Sequence, residues 1–306
     1  MDARMKRMPD LLWPFRGTGG AVFFSLLAVA LWGSSFAVFK MTFAVYDPVV
    51  VVFCRMVLAS LCFVCLRPFT LQVPLEGWKD RFLVLFMGLC EPCLYFVFEV
   101  KALLYTTAAQ ASMILAVLPL LVAVAAAVIW REPLPWHRVA GFLTAVAGVW
   151  LLTLVAAPTQ DAPNPVFGNL MECMAMLCAA GYTLILKKLS GKYPAFMLTG
   201  YQSMVGMAFF LPGLALPGVV LPTRVDRFGV CAIFYLGVVV SLGAYALFNT
   251  GLSRLPASRA AAFLNLIPVV GVFMGWVLLD ERLMGWQWSG VAFIFAGVWF
   301  SQRVRQ

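Results

Sequence analysis

Residues 141–150 read GFLTAVAGVW and residues 290–299 read GVAFIFAGVW, so a glycine and the run AGVW recur at an offset of 149 residues. Laying residues 102–150 over residues 251–299 without a gap gives thirteen identities in forty-nine positions. They include Pro119 with Pro268, Glu132 with Glu281, and Gly141 with Gly290. Self-similarity at one fixed offset is typical of a duplicated unit, so the chain is predicted to be a tandem repeat.

The composition predicts a membrane protein. Hydrophobic residues make up 63% of the 306 positions and charged residues 11%, a balance that excludes an ordinary water-soluble domain. Apolar runs such as Ala21 to Phe39 and Ala111 to Trp130 have the length of a helix that crosses about 30 Å of hydrocarbon. Helices also satisfy their own backbone hydrogen bonds, as lipid requires. The fold class is therefore predicted as an all-α integral membrane protein.

Charged residues, prolines and glycines divide the apolar sequence into ten predicted transmembrane helices. They lie at residues 21–40, 48–66, 82–101, 107–130, 135–156, 166–186, 194–216, 228–250, 258–279 and 285–301. Five crossings per half is an odd number, so the second half enters the membrane in the opposite direction from the first. The chain is predicted to form two inverted five-helix repeats, an architecture that recurs in secondary transporters.

The domain boundaries follow from this division. We predict a cytoplasmic N-terminal segment at 1–20, a first repeat at 21–156, a linker at 157–165, a second repeat at 166–302 and a cytoplasmic tail at 303–306. With the N-terminus inside, sixteen Lys and Arg residues fall in inner segments and five in outer ones. This bias predicts a multi-pass protein of the bacterial inner membrane with both termini in the cytoplasm. The net charge of +9 is thus explained by the orientation of the chain in the membrane, and no nucleic-acid partner is expected.

Several motifs resemble the EamA-type members of the drug/metabolite transporter superfamily over nearly the whole chain. Helix 1 contains residues 30–36, ALWGSSF, and helix 2 contains Pro48 and Arg55. Each half then closes with a proline, a glutamate and a glycine-rich fifth helix: Pro119, Glu132, Leu134, Gly141 and Gly148, then Pro268, Glu281, Leu283, Gly290 and Gly297. The resemblance implies an exporter or facilitator of amino acids or related metabolites, with a central cavity lined mainly by helices 1, 3, 4, 6, 8 and 9.

Helix 3 carries acidic and aromatic residues that the family pattern does not explain. At helical spacing, Gly88, Glu91, Tyr95, Phe98 and Glu99 share one face. A carboxylate at membrane depth costs a few kcal/mol, so it normally faces a wet cavity or a partner. Glu91 is predicted to line the substrate path. The matching positions of helix 8 are apolar, so the first half is expected to recognise charge.

Arg55, the one basic residue left inside a predicted span, is the expected charge partner of Glu91 or Glu99. The carboxylate that stays unpaired would then be protonated, exchange a proton or hold a cationic group. A carboxylate beside the faces of Tyr95 and Phe98 suits an amine or the ammonium group of an amino acid.

Polar and aromatic residues of other helices complete the predicted substrate-binding set: Trp32, Ser35, Gln110, Tyr182, Tyr245, Asn249 and Asn265. For Gln110 and Asn265, hydrogen bonding between helices is the alternative. Pro92, Pro119 and Pro268 are predicted hinges, with a static kink as the alternative. Glu132 and Glu281 are expected to cap neighbouring helix N-termini.

The sequence lacks a nucleotide-binding glycine-rich loop, a Ser/His/Asp set and a zinc motif, and its loops are short. No cofactor, metal or enzymatic activity is expected, and the eight cysteines are interpreted as packing residues. The predicted function is a secondary transporter that exports small metabolites such as amino acids or amines by alternating access. Its partners are a small-molecule substrate and the lipid bilayer; protons and a homodimer are left open. A membrane-embedded acid/base enzyme and a passive channel are the alternatives.

Overall fold

The computed structural model describes residues 18–69, 73–131, 135–154, 156–245, 247–248 and 263–302. Nearly all of these residues are helical, and within these ranges a single isolated β-bridge, between Thr159 and Ala162, is the only extended pairing. Seven helices of the described part are long and apolar enough to cross a membrane. The predicted all-helical membrane fold is therefore confirmed.

Five segments form the first half. They are α1 at Thr18–Thr42, α2 at Pro48–Leu66, α3 at Gly77–Gly88 and Tyr95–Tyr105 joined by the π-helical turn Leu89–Leu94, α4 at Ala108–Ile114 and Leu118–Trp130 joined by the 3-10 turn Leu115–Val117, and α5 at Trp136–Leu154. The second half contains α6 at Pro165–Leu189, α7 at Ala195–Phe210, α8 at Arg227–Phe234 continuing into the π-helical Tyr235–Ala244, α9 at Ile267–Leu279 and α10 at Gly285–Gln302.

These segments correspond one to one with the predicted helices, with shifted ends. α3 begins at Gly77 rather than at residue 82, because its first turn is polar and extends beyond the apolar run. α7 ends at Phe210 rather than at residue 216, because Pro212 has no backbone N–H to continue the helix. The start predicted for helix 9, at residue 258, lies outside the described residues.

Side-chain caps begin several helices at loop positions. Asp47 accepts a hydrogen bond from the Val49 N–H at 2.9 Å, directly before a proline at the first helical position. Asn164 caps α6 in the same way through the Phe167 N–H, at 3.1 Å. Polar residues before an apolar run thus fix where each crossing starts.

The two halves repeat the same backbone irregularities. Pro119 and Pro268 each lie in the first turn of a helix that restarts after a break. Arg131 and Asp280, 149 residues apart, both end that helix in the left-handed conformation, with φ of 55° and 49°. π-helical geometry also occurs in both α3 and α8. The sequence repeat is therefore also a repeat of local conformation.

α5 and α10 pack against each other through glycines that the repeat conserves between its two copies. A Cβ atom built on Gly148 would lie 2.7 Å from the Gly290 carbonyl oxygen, and one on Gly290 would lie 2.8 Å from the Gly148 carbonyl oxygen. Small residues let helix backbones approach closely in a membrane, where dispersion rather than hydrophobic burial holds helices together. The last helix of each half therefore joins the two repeats.

Glu281 joins several elements at the end of the bundle predicted to face outward. Its two carboxylate oxygens accept hydrogen bonds from the backbone N–H groups of Ala108 and Ala109, each at 2.9 Å, at the start of α4. Lys40 pairs with Glu281 at 3.3 Å and also donates to the Thr106 carbonyl oxygen at 2.7 Å. The predicted helix-capping role is confirmed for Glu281, while Glu132 lies outside the described residues.

A second ionic cluster lies at the opposite end of α3. Asp80 accepts hydrogen bonds from Lys192 at 3.1 Å and from the Tyr193 hydroxyl at 2.8 Å. The hydrogen bond to Asp80 raises the pKa of the exposed Lys192 ammonium. The cluster ties the start of α3 to the loop between α6 and α7.

Gly148→Ala is expected to destabilise the protein by about 2 kcal/mol, because the added methyl group overpacks against backbone that has no room to move. Gly19→Ala is the matched control, since a Cβ on Gly19 meets no atom within 4 Å. The measurement is the midpoint of thermal unfolding of the purified protein in detergent. Equal midpoints for the two variants would contradict this account of the α5–α10 contact.

Glu281→Gln is expected to cost about 2 kcal/mol, the typical loss for buried hydrogen bonds to a charged group. The neighbouring Asp280→Asn is the control, because the Asp280 side chain is 79% exposed and pairs only with the exposed Arg282. Thermal unfolding in detergent measures both. A midpoint for Glu281→Gln within error of that for Asp280→Asn would argue against the cap.

Candidate functional site

A polar cavity of about 230 Å³ lies between the two halves. Residues of α1, α2, α3, α4, α6, α8 and the segment before α9 line it, and three of them are basic or acidic: Arg55, Glu91 and Glu99. Larger apolar clefts lie elsewhere, for example about 360 Å³ between α4, α5 and α6. We take the smaller cavity as the candidate site because it combines membrane depth with charge.

Glu91 reaches the cavity because α3 is interrupted at its position. The residue has an extended backbone, with φ of −144° and ψ of 118°, inside an otherwise helical span, and its peptide bond to Pro92 is cis. The Pro92 ring packs against Gly206 of α7. A broken helix at membrane depth exposes polar backbone, which is tolerated where it lines a cavity.

Arg55 is buried, with 9% of its surface exposed, on the α2 side of the cavity. Its Nε donates to the Ser241 hydroxyl at 3.1 Å, and its guanidinium carbon lies 4.6 Å from the centroid of the Phe96 ring. It interacts electrostatically with Glu99 and, more weakly, with Glu91. Within the described residues, no ion pair under 4 Å includes Arg55. Arg55 therefore attracts both carboxylates of the cavity without forming a close ion pair with either of them.

Glu99 is held by one hydrogen bond, which the Tyr95 hydroxyl donates to its Oε1 at 2.9 Å. Its Oε2 is buried and has no partner among the described residues. Behind it lies Glu172 of α6, which has no solvent exposure and interacts electrostatically with Glu99. Neither carboxylate oxygen of Glu172 has a hydrogen-bond partner in the described part of the chain. Two buried acids thus lie on helices that pack against each other, α3 and α6.

The far wall of the cavity is aromatic. Trp32 of α1 contacts Tyr245 edge to face, with ring centroids 5.2 Å apart, and also lies 5.4 Å from the Phe248 ring. Tyr182 of α6 completes this wall. Aromatic faces opposite carboxylates can bind an organic cation by charge and by cation–π attraction.

The structure brings most of the predicted site residues together. Those that line the cavity are Trp32, Ser35, Arg55, Glu91, Tyr95, Glu99, Pro119, Tyr182, Tyr245 and Asn265. Phe98, predicted on the same stripe of helix 3, packs instead against the apolar core and is not among the residues that line the cavity. Pro92 is buried in the π-helical turn of α3, and Pro268 is buried in the first turn of α9. Asn249 lies outside the described residues.

Gln110 belongs to a separate buried network that joins helices. Its Oε1 accepts hydrogen bonds from Asn169 at 2.8 Å and from the Thr106 hydroxyl at 3.2 Å. Asn169 also donates to the Thr153 hydroxyl at 3.1 Å. The network links α3, α4, α5 and α6, which is the helix-bonding role that the sequence left open as an alternative.

Sequence reasoning missed Glu172 and the cavity-lining Thr183. The rule that identified Glu91 also applies to Glu172, a carboxylate in the middle of an apolar helix. Thr183 carried no signal, because a threonine in a membrane helix usually bonds its own backbone, as Thr183 does to the Ala179 carbonyl oxygen at 2.7 Å. Within the described residues, no group of three or more His, Cys, Asp or Glu side chains is placed to hold a metal ion.

Comparison with known proteins identifies related sequences along the whole chain. The model of the EamA-like transporter family matches twice, at residues 19–154 and at residues 166–302. Two consecutive matches agree with the duplication seen in the sequence, and they confirm the resemblance that its motifs suggested.

Relatives of similar length carry transporter names. The Uncharacterized transporter YcxC of Bacillus subtilis is 30% identical over 73% of this chain and 76% of its own length. A Salmonella typhimurium protein named "Probable amino-acid metabolite efflux pump" is 28% identical over 93% of this chain and 96% of its own. One solved crystal structure is 19% identical, with a TM-score of 0.64, and covers 92% of this chain and 97% of its own. That last likeness supports the fold.

Tyr95→Phe is expected to destabilise the protein by about 1–3 kcal/mol, because it removes the one hydrogen bond that holds the buried Glu99 carboxyl group. Tyr105→Phe is the control, since Tyr105 lies at the exposed end of the same helix and packs on Phe167 through its ring. Thermal unfolding in detergent gives the comparison. If both variants unfold at the wild-type temperature, Tyr95 does not support Glu99.

Proposed function

Because the chain belongs to the EamA-like transporter family and is a multi-pass membrane transporter, we propose that it is a secondary transporter that exports amino acids or related amines. The mixed-charge cavity between the two repeats is the observation that supports this proposal. One wall carries Arg55, Glu91 and Glu99, and the other carries aromatic rings. A site built this way suits a small ligand that has both an anionic and a cationic group.

The cavity's size favours a small metabolite. Its volume of about 230 Å³ lies below the range of about 300–1,000 Å³ that is usual for drug-sized ligands. In the proposed complex, Arg55 binds the carboxylate of a zwitterion and Glu91 binds its ammonium group. The ring faces of Trp32 and Tyr245 then pack against the side chain. The efflux pump name of the Salmonella relative supports the same substrate class.

Transport follows from the inverted repeat. The two halves would rock around the central cavity and expose it to one side of the membrane at a time. Pro119 and Pro268 are the proposed hinges, because each restarts a helix beside the cavity in its own half. The repeats are assigned to residues 21–156 and 166–302, joined by the linker 157–165. We assign both termini to the cytoplasm and the protein to the bacterial inner membrane, and the excess of basic residues in alternate loops supports this orientation.

The proposal is tested by counterflow in proteoliposomes loaded with an unlabelled amino acid and supplied with the same radiolabelled amino acid. A thermal-shift screen of amino acids and monoamines on the purified protein selects the compound. The wild-type protein is expected to accumulate label transiently and to saturate. Glu91→Gln is expected to lower the rate at least tenfold, because the ammonium group loses its charge partner, a loss of about 1.4 kcal/mol or more. Glu76→Gln, which removes an exposed carboxylate before α3, is the control.

The assay also separates the alternatives. A passive channel would show flux without saturation and without transient accumulation. A membrane-embedded acid/base enzyme would convert the compound in detergent, where no gradient exists. Either result, or equal counterflow by Glu91→Gln and Glu76→Gln, would reject the proposed role of the cavity.

A further inference from the structure

Glu172 does not belong to the substrate cavity. It is completely buried on α6, and the cavity wall formed by α6 consists instead of Ala179, Tyr182 and Thr183. Glu99 does line the cavity and interacts electrostatically with Glu172. Glu99 therefore couples the buried Glu172 electrostatically to the cavity.

The pair has unfilled hydrogen-bonding capacity. Three of its four carboxyl oxygens, Oε2 of Glu99 and both oxygens of Glu172, are buried without a partner among the described residues. Buried polar atoms without a partner cost about 1–3 kcal/mol each, and two adjacent buried carboxylates also repel one another. A proton on one carboxyl group removes one charge and supplies one donor. A neighbouring carboxylic acid and carboxylate then stabilise each other, as in acid pairs that share one proton.

The surrounding charges support a single negative charge at this place. The titratable groups around the pair are Tyr95, Glu91 and Arg55, together with the Cys173 thiol next to Glu172. Arg55 is the only cation among these groups, and its strongest electrostatic interaction is with Glu99. One positive charge balances at most one of the three carboxylates Glu91, Glu99 and Glu172. At least one carboxyl group of the pair is therefore neutral when it holds a proton and uncompensated when it does not.

We propose that the Glu99–Glu172 pair is the proton-binding site through which the carrier couples substrate export to proton influx. The inference rests on the proposed transport function. An amine substrate, which brings an ammonium group beside Glu91 and Glu99 and no carboxylate to occupy Arg55, supplies the missing positive charge. The carboxylic O–H bond then breaks, and its proton passes to water in the cavity. When the substrate leaves on the other side, the pair takes up a proton from that side. Substrate and proton thus bind to the site alternately, and the binding of one displaces the other.

Transport assays test this coupling with a monoamine selected by the thermal-shift screen described above. In wild-type proteoliposomes, an imposed pH gradient is expected to drive uphill accumulation of the labelled compound. Glu172→Gln is expected to lose this accumulation at least tenfold while counterflow at equal pH continues, because the variant still exchanges substrate. Glu172→Asp, which keeps a carboxyl group, is expected to restore part of the coupling. Glu76→Gln is the control and is expected to behave as wild type.

The outcomes separate the two proposals. Absence of counterflow in the wild type rejects the transport function. If the wild type and Glu172→Gln both show counterflow and accumulate the compound equally in a pH gradient, the proton site is rejected. The transport function is not rejected by that result. Accumulation driven by a sodium gradient and unaffected by a pH gradient also overturns the proton site, because the pair would then be a cation site.

Infrared spectroscopy of the purified protein provides a second measurement that needs no substrate. A protonated carboxyl group has a C=O stretching band that is separate from the bands of carboxylates. This band is expected in the wild type at neutral pH, to weaken or vanish in Glu172→Gln, and to persist in Glu76→Gln. A band that is unchanged in folded Glu172→Gln overturns the proposal. Size-exclusion chromatography in detergent reports whether each variant is folded.

Discussion

Hydrocarbon offers no hydrogen-bond partner to a backbone group or a charged side chain, and the structure is arranged around that constraint. The backbone solves it by forming helices throughout the spans. Where α3 leaves helical geometry, at Glu91, it does so against the polar cavity. Polar side chains solve it in pairs and networks, such as Gln110 with Asn169. Among the buried polar groups of the described residues that remain unsatisfied, those of Glu99 and Glu172 are the acidic ones, and they are therefore the places to look for a bound cation.

The two repeats share a scaffold and differ in chemistry. Both restart a helix at a proline, end it with a left-handed residue and pack their final helices through glycines. The acids Glu91 and Glu99 have no counterpart in α8, where Val240 and Phe248 stand instead. The expectation that the first half alone recognises charge is nevertheless incomplete, because Glu172 of the second half interacts electrostatically with Glu99. A symmetric frame thus carries an asymmetric site.

Ionic clusters connect the two repeats at both ends of the helix bundle. Lys40 and Glu281 connect α1, α4 and the segment between α9 and α10 at one end, and Asp80 and Lys192 connect α3 to the α6–α7 loop at the other. Both clusters join a segment of the first half to a segment of the second. The cavity lies between them, so movement of one half against the other changes the distance between residues of at least one cluster.

Sequence alone determined the class, the repeat and the membrane crossings of this protein, because hydrophobic length and a fixed offset are properties of the linear chain. It also identified most of the polar residues around the cavity, since a charge in an apolar helix is costly wherever the helix packs. Tertiary structure decided which of these residues meet. Phe98 packs against the core, Gln110 joins a network between helices, and packing of α3 on α6 brings Glu172 within electrostatic range of Glu99. Such relations depend on rotation and depth in the bundle, which helical spacing does not specify when a span is interrupted.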